Sequence, residues 1–454
     1  MTEKMEIMYE NLLHFFEERK FNDLKESLKD IEPFDIAFFM ENNLDEKEQI
    51  LFFRIIPKEL ASNVFSYLEA DVQEGLIRAF SDKELEAVIS DMFLDDTVDV
   101  IEEMPANVVK RIIKASDSES RKAINELLKY PEDSAGSIMT TEYVSFSAKL
   151  TVEEAFERIR KVGTNKETIY TCYVTDGKKK LIGVVSVKEL LLADKTVKIE
   201  EIMDDNVITA HTLEDKEQVA LKLSKYDFLA LPVVDTEGLI VGIVTVDDAV
   251  DVIQEEATED IHKMAAILPT EKPYFKQSLF SVWKARVPWL MLLLVASTFT
   301  SMILSHYEER LPVILTAFVP MLMGAAGNAG GQTSVTIIRS IAIGEVEFKD
   351  IFKVILKEFM VGALIGLSVG IVCFLKILLI DNLYNEISLT TNLVISGVCA
   401  LSIIMAKLVG CMLPLLAKKL KLDPAVVASP LMTTIVDVLS LVIYCTLAIA
   451  FLGL

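Results

Sequence analysis

The chain has 454 residues, with 68 Asp and Glu against 45 Lys and Arg and a formal charge of −23. So acidic a surface excludes nucleic acid as a partner, since a phosphate backbone needs a basic face, and it favours cations instead. The charge is unevenly spread: residues 1–270 hold 57 acids and 31 bases, whereas residues 271–454 hold 11 and 14.

Residues 1–130 carry few strand signals. Apolar residues recur at helical spacing, as in Ile36, Phe39 and Met40, then Leu60, Val64, Phe65 and Leu68, then Leu85, Val88, Ile89 and Met92. Pro33, Pro57 and Pro105 punctuate the pattern, and Ser81 and Asp95 are read as caps that start new helices. Short amphipathic helices that cannot each bury a face alone predict a stacked, superhelical all-α domain over 1–130. The charged, amphipathic first 30 residues lack the pattern of a secretory signal, so this part is expected to stay in the cytoplasm.

Residues 131–253 hold a repeat of about 64 residues. Ile138-Met139-Thr140 answers Ile202-Met203-Asp204, Tyr173 to Asp176 answers Pro232 to Asp235, and Leu181 to Ser186 answers Leu239 to Thr245. Each copy reads strand, helix, strand, turn, strand, helix, with turns at Asp176-Gly177 and Glu237-Gly238. This resembles a tandem pair of CBS domains, a family that pairs face to face and often binds adenine nucleotides. The resemblance implies a ribose contact from a final Ser/Thr-x-x-Asp, which is Thr245 and Asp248 in the second copy. The first copy has Ser186 but Glu189. The alternative is a pair that only dimerises and senses charge.

A connector, 254–283, follows. Asp247, Asp248, Asp251, Glu255, Glu256, Glu259 and Asp260 crowd its start, and positions 248, 251, 255 and 259 share a helical face where like charges repel. Asp95 and Asp99 form a similar pair, and Asp227 sits between helix and strand of the second repeat. Such a face is either simply solvated or a seat for a hard divalent cation, which takes oxygen ligands. In the second case, removing the cation leaves repulsion that separates the surfaces.

The remainder, 284–454, contains five apolar runs at about 287–305, 311–338, 358–380, 391–417 and 425–453, each long enough to span a bilayer. Arg339, Lys349, Lys353 and Lys357 follow the second run, and Lys418, Lys419 and Lys421 follow the fourth. The positive-inside rule therefore puts these loops in the cytoplasm and the C-terminus outside. Five cysteines without paired spacing suggest neither disulfides nor a zinc site. There is also no His-Glu-x-x-His or Gly-x-Ser-x-Gly motif, and the four histidines are scattered, which argues against an enzyme.

Asp437 is the only charge in the last run and follows Pro430, Thr433 and Thr434. A carboxylate there costs roughly 3 kcal/mol on insertion scales, so it is expected to face a cavity, an ion path or an intramembrane lysine such as Lys407. The second run ends in a glycine-rich stretch with Asn328, Gln332 and Thr333, which fits either a close helix contact or a polar path.

Taken together, Gly-Asn-Ala-Gly-Gly-Gln at 327–332, Asp423-Pro424 with Asp437, and Glu255 to Lys263 make the whole chain resemble the MgtE family of magnesium channels and transporters. The fold expected is a multidomain α+β cytoplasmic region, with all-α N domain and tandem α/β CBS domains, then an all-α membrane domain of five helices. The resemblance implies a homodimer in the cell membrane with Mg²⁺ passing largely hydrated beside Asp437. Asn328, Gln332 and Thr433 would lie on the ion path, with the backbone near Ala428. It further implies closure by cytoplasmic Mg²⁺ at Asp95, Asp99, Asp215, Glu217, Asp227, Asp248, Asp251, Glu256 and Glu259, ATP as a modulator, and a connector helix over about 254–268 continuing towards Pro273. Gly331 departs from the family pattern, where Asn is frequent, so no ion contact is assigned to it. The rival readings are transport of Co²⁺, Mn²⁺ or Ni²⁺, and a membrane-tethered sensor.

Overall fold

The computed structural model describes residues 3–270, 274–308, 310–384, 386–428 and 430–453; the side chains of residues 3, 308, 427, 428 and 430 also fall outside the description. The chain divides into two compact units, Met1–Ile253 and Gln254–Leu454.

The first unit begins with short helices from Glu3–Glu17 to Ser118–Leu127. Ser81 caps its helix as expected, in a reciprocal box with Glu84. Asp95 does not: the helix Leu94–Glu103 starts two residues earlier than such a cap requires, with Phe93 at the cap and Asp95 in the first turn. The carboxylate is thereby free to point away from the helix end. A continuous core joins these helices to the repeats, from Tyr9 and Phe39 through Ile112 and Leu127 to Leu231 and Val252.

The repeats form two three-stranded sheets, β1 (Ser145–Ser147), β2 (Thr171–Thr175) and β3 (Leu181–Ser186), then β4 (Ala210–His211), β5 (Ala230–Val234) and β6 (Ile240–Thr245). In each, the first pair is parallel and the second antiparallel. The copies interlock crosswise. Met139 of the first packs on Gly242 of the second, and Met203 packs on Gly183, both so closely that a Cβ on either glycine would lie under 3 Å from the methionine sulfur. The turns share one geometry: Asp176 accepts from the Lys178 and Lys180 amides and Asp235 from those of Glu237 and Leu239, with Lys179 at φ +65 in the first and Gly238 at φ +79 in the second.

The helix Val246–Met264 carries the chain across the unit boundary. It begins inside the second repeat and does not continue towards Pro273: Ala266 at φ +58 turns the chain, and Pro273 itself lies outside the described residues. Five helices or helix pairs long and apolar enough to cross a membrane follow, Leu279–Tyr307, Val313–Ala342, Phe348–Leu383, Leu389–Lys419 and Leu431–Leu452. The second is broken into Val313–Thr316 and Val319–Ala342, and the last is preceded by a separate short helix, Pro424–Ala428. Pro320 within the first turn after the break explains the former, since proline has no N–H for a continuing helix.

The second and fourth spans touch at backbone level. A methyl group added at Gly410 would lie 2.5 Å from the Gly330 carbonyl oxygen. Gly410→Ala is therefore expected to force these helices apart and cost about 1–3 kcal/mol, read as a lower unfolding midpoint in detergent. Gly324→Ala is the control, because an added Cβ there meets nothing within 4 Å.

Candidate functional sites

Two regions gather the chemistry, one in each unit. In the membrane unit, a cavity of about 870 Å³ lies between the second span, through Met323, Gly324, Gly327, Asn328, Gly331, Gln332, Val335 and Thr336, and the last span, through Thr433 and Asp437. The residues at i, i+3, i+4, i+7 and i+8 from Gly324 make one helix face, so glycine opens the space while Asn328 and Gln332 stand at its edge. Six waters at about 30 Å³ each need roughly 180 Å³, so a hydrated cation fits with room to spare. Asp437 is half-buried and makes no ion pair among the described residues. The alternative partner, Lys407, is bound elsewhere: its Nζ lies 2.9 Å from the Thr333 hydroxyl and 3.4 Å from Glu358 Oε2. Ala428 ends the helix Pro424–Ala428, and its side chain lies outside the described residues. Gly331 lines the cavity, with the Met432 methyl as nearest neighbour of an added Cβ at 3.7 Å.

In the soluble unit, acids from three stretches of chain converge: Asp95, Asp96 and Asp99 from one helix, Glu142 and Glu167 from the first repeat, and Asp247 and Asp248 from the start of the connector helix. Burial pushes Asp95 well up from the usual carboxylate range, and Asp248, Glu167 and Asp96 add to it. Glu167 and Asp248 are each pushed up to about 7, first by burial and then by neighbouring acids, although the Thr245 hydroxyl holds Asp248 back. Asp99 reaches solvent at its rim, yet protein packed round its carboxyl, together with Asp248, pushes it up to about 7. Asp95 Oδ1, Glu142 Oε2 and Glu167 Oε2 are buried with no hydrogen-bond partner among the described residues. Three orphaned carboxylate oxygens in one place need a proton or a cation. Among the described residues no three acids, histidines or cysteines close on a single point as bare-ion ligands.

Of the other expected regulatory residues, Asp251 borders this cluster through Asp247. Asp215 caps the helix Lys216–Tyr226 by accepting from the Gln218 amide at 3.2 Å, and Asp227 ends the same helix at φ +53. Glu217 lies in the first turn of that helix. Asp251 is exposed one turn beyond Asp247. Glu256 is half-buried on the connector helix. Glu259 is held by Lys263, whose ammonium lies 2.8 Å from Glu259 and 2.7 Å from Asp423. Burial pulls Lys263 down, but these two bonds raise it on balance. Asp423 also caps the helix Pro424–Ala428 through the Ala425 amide at 2.8 Å, and Met264 packs on Ile338 and Ala425. The end of the connector is thus tied, within one unit, to the segment that leads into the Asp437 helix.

At the repeat ends, Thr245 donates to Asp248 at 2.6 Å, and Ser186 and Glu189 form a capping box at 2.8 Å. Asp96, Glu142 and Glu167 were not among the expected cation residues. A signal for Glu167 exists in the repeat itself: it occupies, between helix and strand of the first copy, the place that Asp227 occupies in the second.

Comparison with known proteins gives matches over nearly the whole chain. Residues 319–447 match the MgtE divalent cation transporter model, residues 31–133 the MgtE intracellular N domain, and residues 135–195 and 199–255 the CBS domain. The magnesium transporter MgtE of Thermus thermophilus is 36% identical over 99% of this chain and 98% of its own. That of Bacillus subtilis is 31% identical over 95% of each. The solved cytosolic domain of the Mg²⁺ channel MgtE in complex with ATP is 35% identical, with a TM-score of 0.52, over 54% of this chain and 99% of that one. The relatives matched over most of the chain are transporters rather than enzymes, and five helices long and apolar enough to span make this a multi-pass membrane protein. The chain belongs to the MgtE family of divalent cation transporters.

Proposed function

We propose that this chain forms a Mg²⁺-selective channel that admits the ion to the cytoplasm through a homodimeric pore. The observation that carries this reading is the cavity in which Asp437, alone among the charges of its span, faces Asn328 and Gln332. Those two side chains are exposed on the single chain, as a wall completed by a second copy would be. Asp437 would accept hydrogen bonds from the water shell of the ion, while Asn328, Gln332, Thr433 and the backbone near Ala428 hold that shell.

Closure is assigned to cytoplasmic Mg²⁺. The ion would neutralise Asp95, Asp99 and Asp248, together with Asp96, Glu142 and Glu167, and would also act on Asp215, Glu217, Asp227, Asp251, Glu256 and Glu259. Supporting this are the orphaned oxygens of the cluster, and Lys263, which links the connector end to Asp423. ATP would enter at Thr245 and Asp248, with Ser186 as the weaker counterpart; the ATP complex of the related cytosolic domain supports this. Asp248 belongs to both sets, so nucleotide and cation draw on one carboxylate. The working division is 1–130, 131–253, 254–283 and 284–454, with residues 1–283 cytoplasmic and the C-terminus outside, as the basic loops require.

The test is current from the purified protein in liposomes, with Mg²⁺ as the permeant cation and cytoplasmic-side Mg²⁺ stepped from near zero to about 10 mM, across the range of plausible sensor affinities. Current that falls as internal Mg²⁺ rises is expected. Larger currents with Mn²⁺ or Co²⁺ would move the selectivity assignment, and no current from a folded dimer would leave a coupled carrier or a tethered sensor.

A further inference from the structure

Behind the cavity-lining helix lies a closed ion triad that transport through Asp437 does not use. Thr333 follows Gln332 directly, about 100° round the second span, and is 2% exposed. Its hydroxyl donates to Glu358 Oε2 of the third span at 3.0 Å and accepts from Lys407 of the fourth at 2.9 Å, while Lys407 and Glu358 lie 3.4 Å apart. Lys407 is 5% exposed, and its stem runs against Gly362, where an added Cβ would come 3.4 Å from Lys407 Cδ.

We propose that Lys407, with Glu358 and Thr333, is a positioning group that fixes the rotation of the second span, so that Asn328, Gln332 and Thr336 face Asp437. Three features support this. A hydroxyl that donates to one ion and accepts from another has both its bonds directed, so it defines an angle, whereas apolar packing does not. The triad carries no net charge, so it adds no second cation site beside the pore. Successive helix residues lie about 100° apart, so a turn of one residue would bring Thr333 to the cavity and carry Gln332 away. This inference rests on the transport reading for its functional meaning, but not for its geometry.

The test uses full-length protein carrying Val335→Cys, an exposed cavity position, in four backgrounds: otherwise wild type, Lys407→Met, Glu358→Gln, and both together. Removing one member of a buried pair is expected to be far more disruptive than removing both. Thiol-reagent labelling at Val335→Cys should therefore fall about fivefold or more in each single background and return to within about twofold in the double. In proteins without the reporter, the half-saturating Mg²⁺ concentration should follow the same order. A lower unfolding midpoint with unchanged labelling and unchanged half-saturation would overturn the proposal and leave a stabilising pair only. A double variant no better than the singles would overturn it too. Labelling needs no transport, so a wild type that carries no Mg²⁺ sinks the transport reading while this one is still judged.

Discussion

Asp437→Ala is expected to lower Mg²⁺ flux by about 100-fold or more, with the protein still folded. A charge-assisted contact with the hydrated ion is worth about 1.5–3 kcal/mol, two such contacts would face each other in the proposed dimer, and each 1.4 kcal/mol is tenfold. The side chain is half-buried at the cavity and forms no ion pair among the described residues, so its removal leaves no orphaned partner. Isotope or dye-monitored Mg²⁺ uptake into liposomes, beside size-exclusion profiles of both proteins, checks this. Uptake at the wild-type rate in a well-folded variant would take the pore away from this cavity.

The second large effect concerns the acidic cluster. Asp99, Glu167 and Asp248 are raised to about 7, and burial raises Asp95 in the same direction. A carboxyl group raised in the folded state stabilises that state fully below its ordinary pKa of about 4, and the contribution is lost as pH climbs through the raised value. Without divalent cations, the packing of the helix Leu94–Glu103 against the repeats should therefore weaken between about pH 4 and pH 7. After allowance for the partly wet rim, roughly 1 kcal/mol per pH unit is expected. Mg²⁺ should restore it at pH 8 and do little at pH 5, where protons already hold the cluster. Hydrogen exchange of that helix in EDTA and in Mg²⁺ reads both. The combination Asp95→Asn, Glu167→Gln and Asp248→Asn should remove both dependences and leave a channel that internal Mg²⁺ closes poorly. Protection that stays flat with pH in the parent protein, with or without Mg²⁺, would show that the cluster is only a solvated face.

Much of this architecture was legible because it is written in local signals. Apolar length gives five spans, and the repeat gives two matching sheets, since Leu181–Ser186 and Ile240–Thr245 keep the same order of β-branched residues. Asp437 was legible because one charge in an apolar run is costly wherever it sits. What stayed hidden depends on which segments face each other. Glu358 opens a long apolar helix and reads as a membrane-edge acid; only folding brings it to Lys407, 49 residues away. Glu142 and Glu167 join the cluster because the first repeat is turned towards Asp95, which composition does not reveal. The connector ends early for a reason of backbone alone, the positive φ of Ala266.

The crosswise seating of Met139 on Gly242 and Met203 on Gly183 has a consequence for descent. Each half of the duplicated region completes the other, so neither could drift in its frame once the duplication was fixed. The tips of the halves are not part of that clasp. They were free to part company, and they have: one ends in Ser186 and Glu189, the other in Thr245 and Asp248. A rigid shared frame with independent tips lets the two halves keep one shape while their ends present different acids.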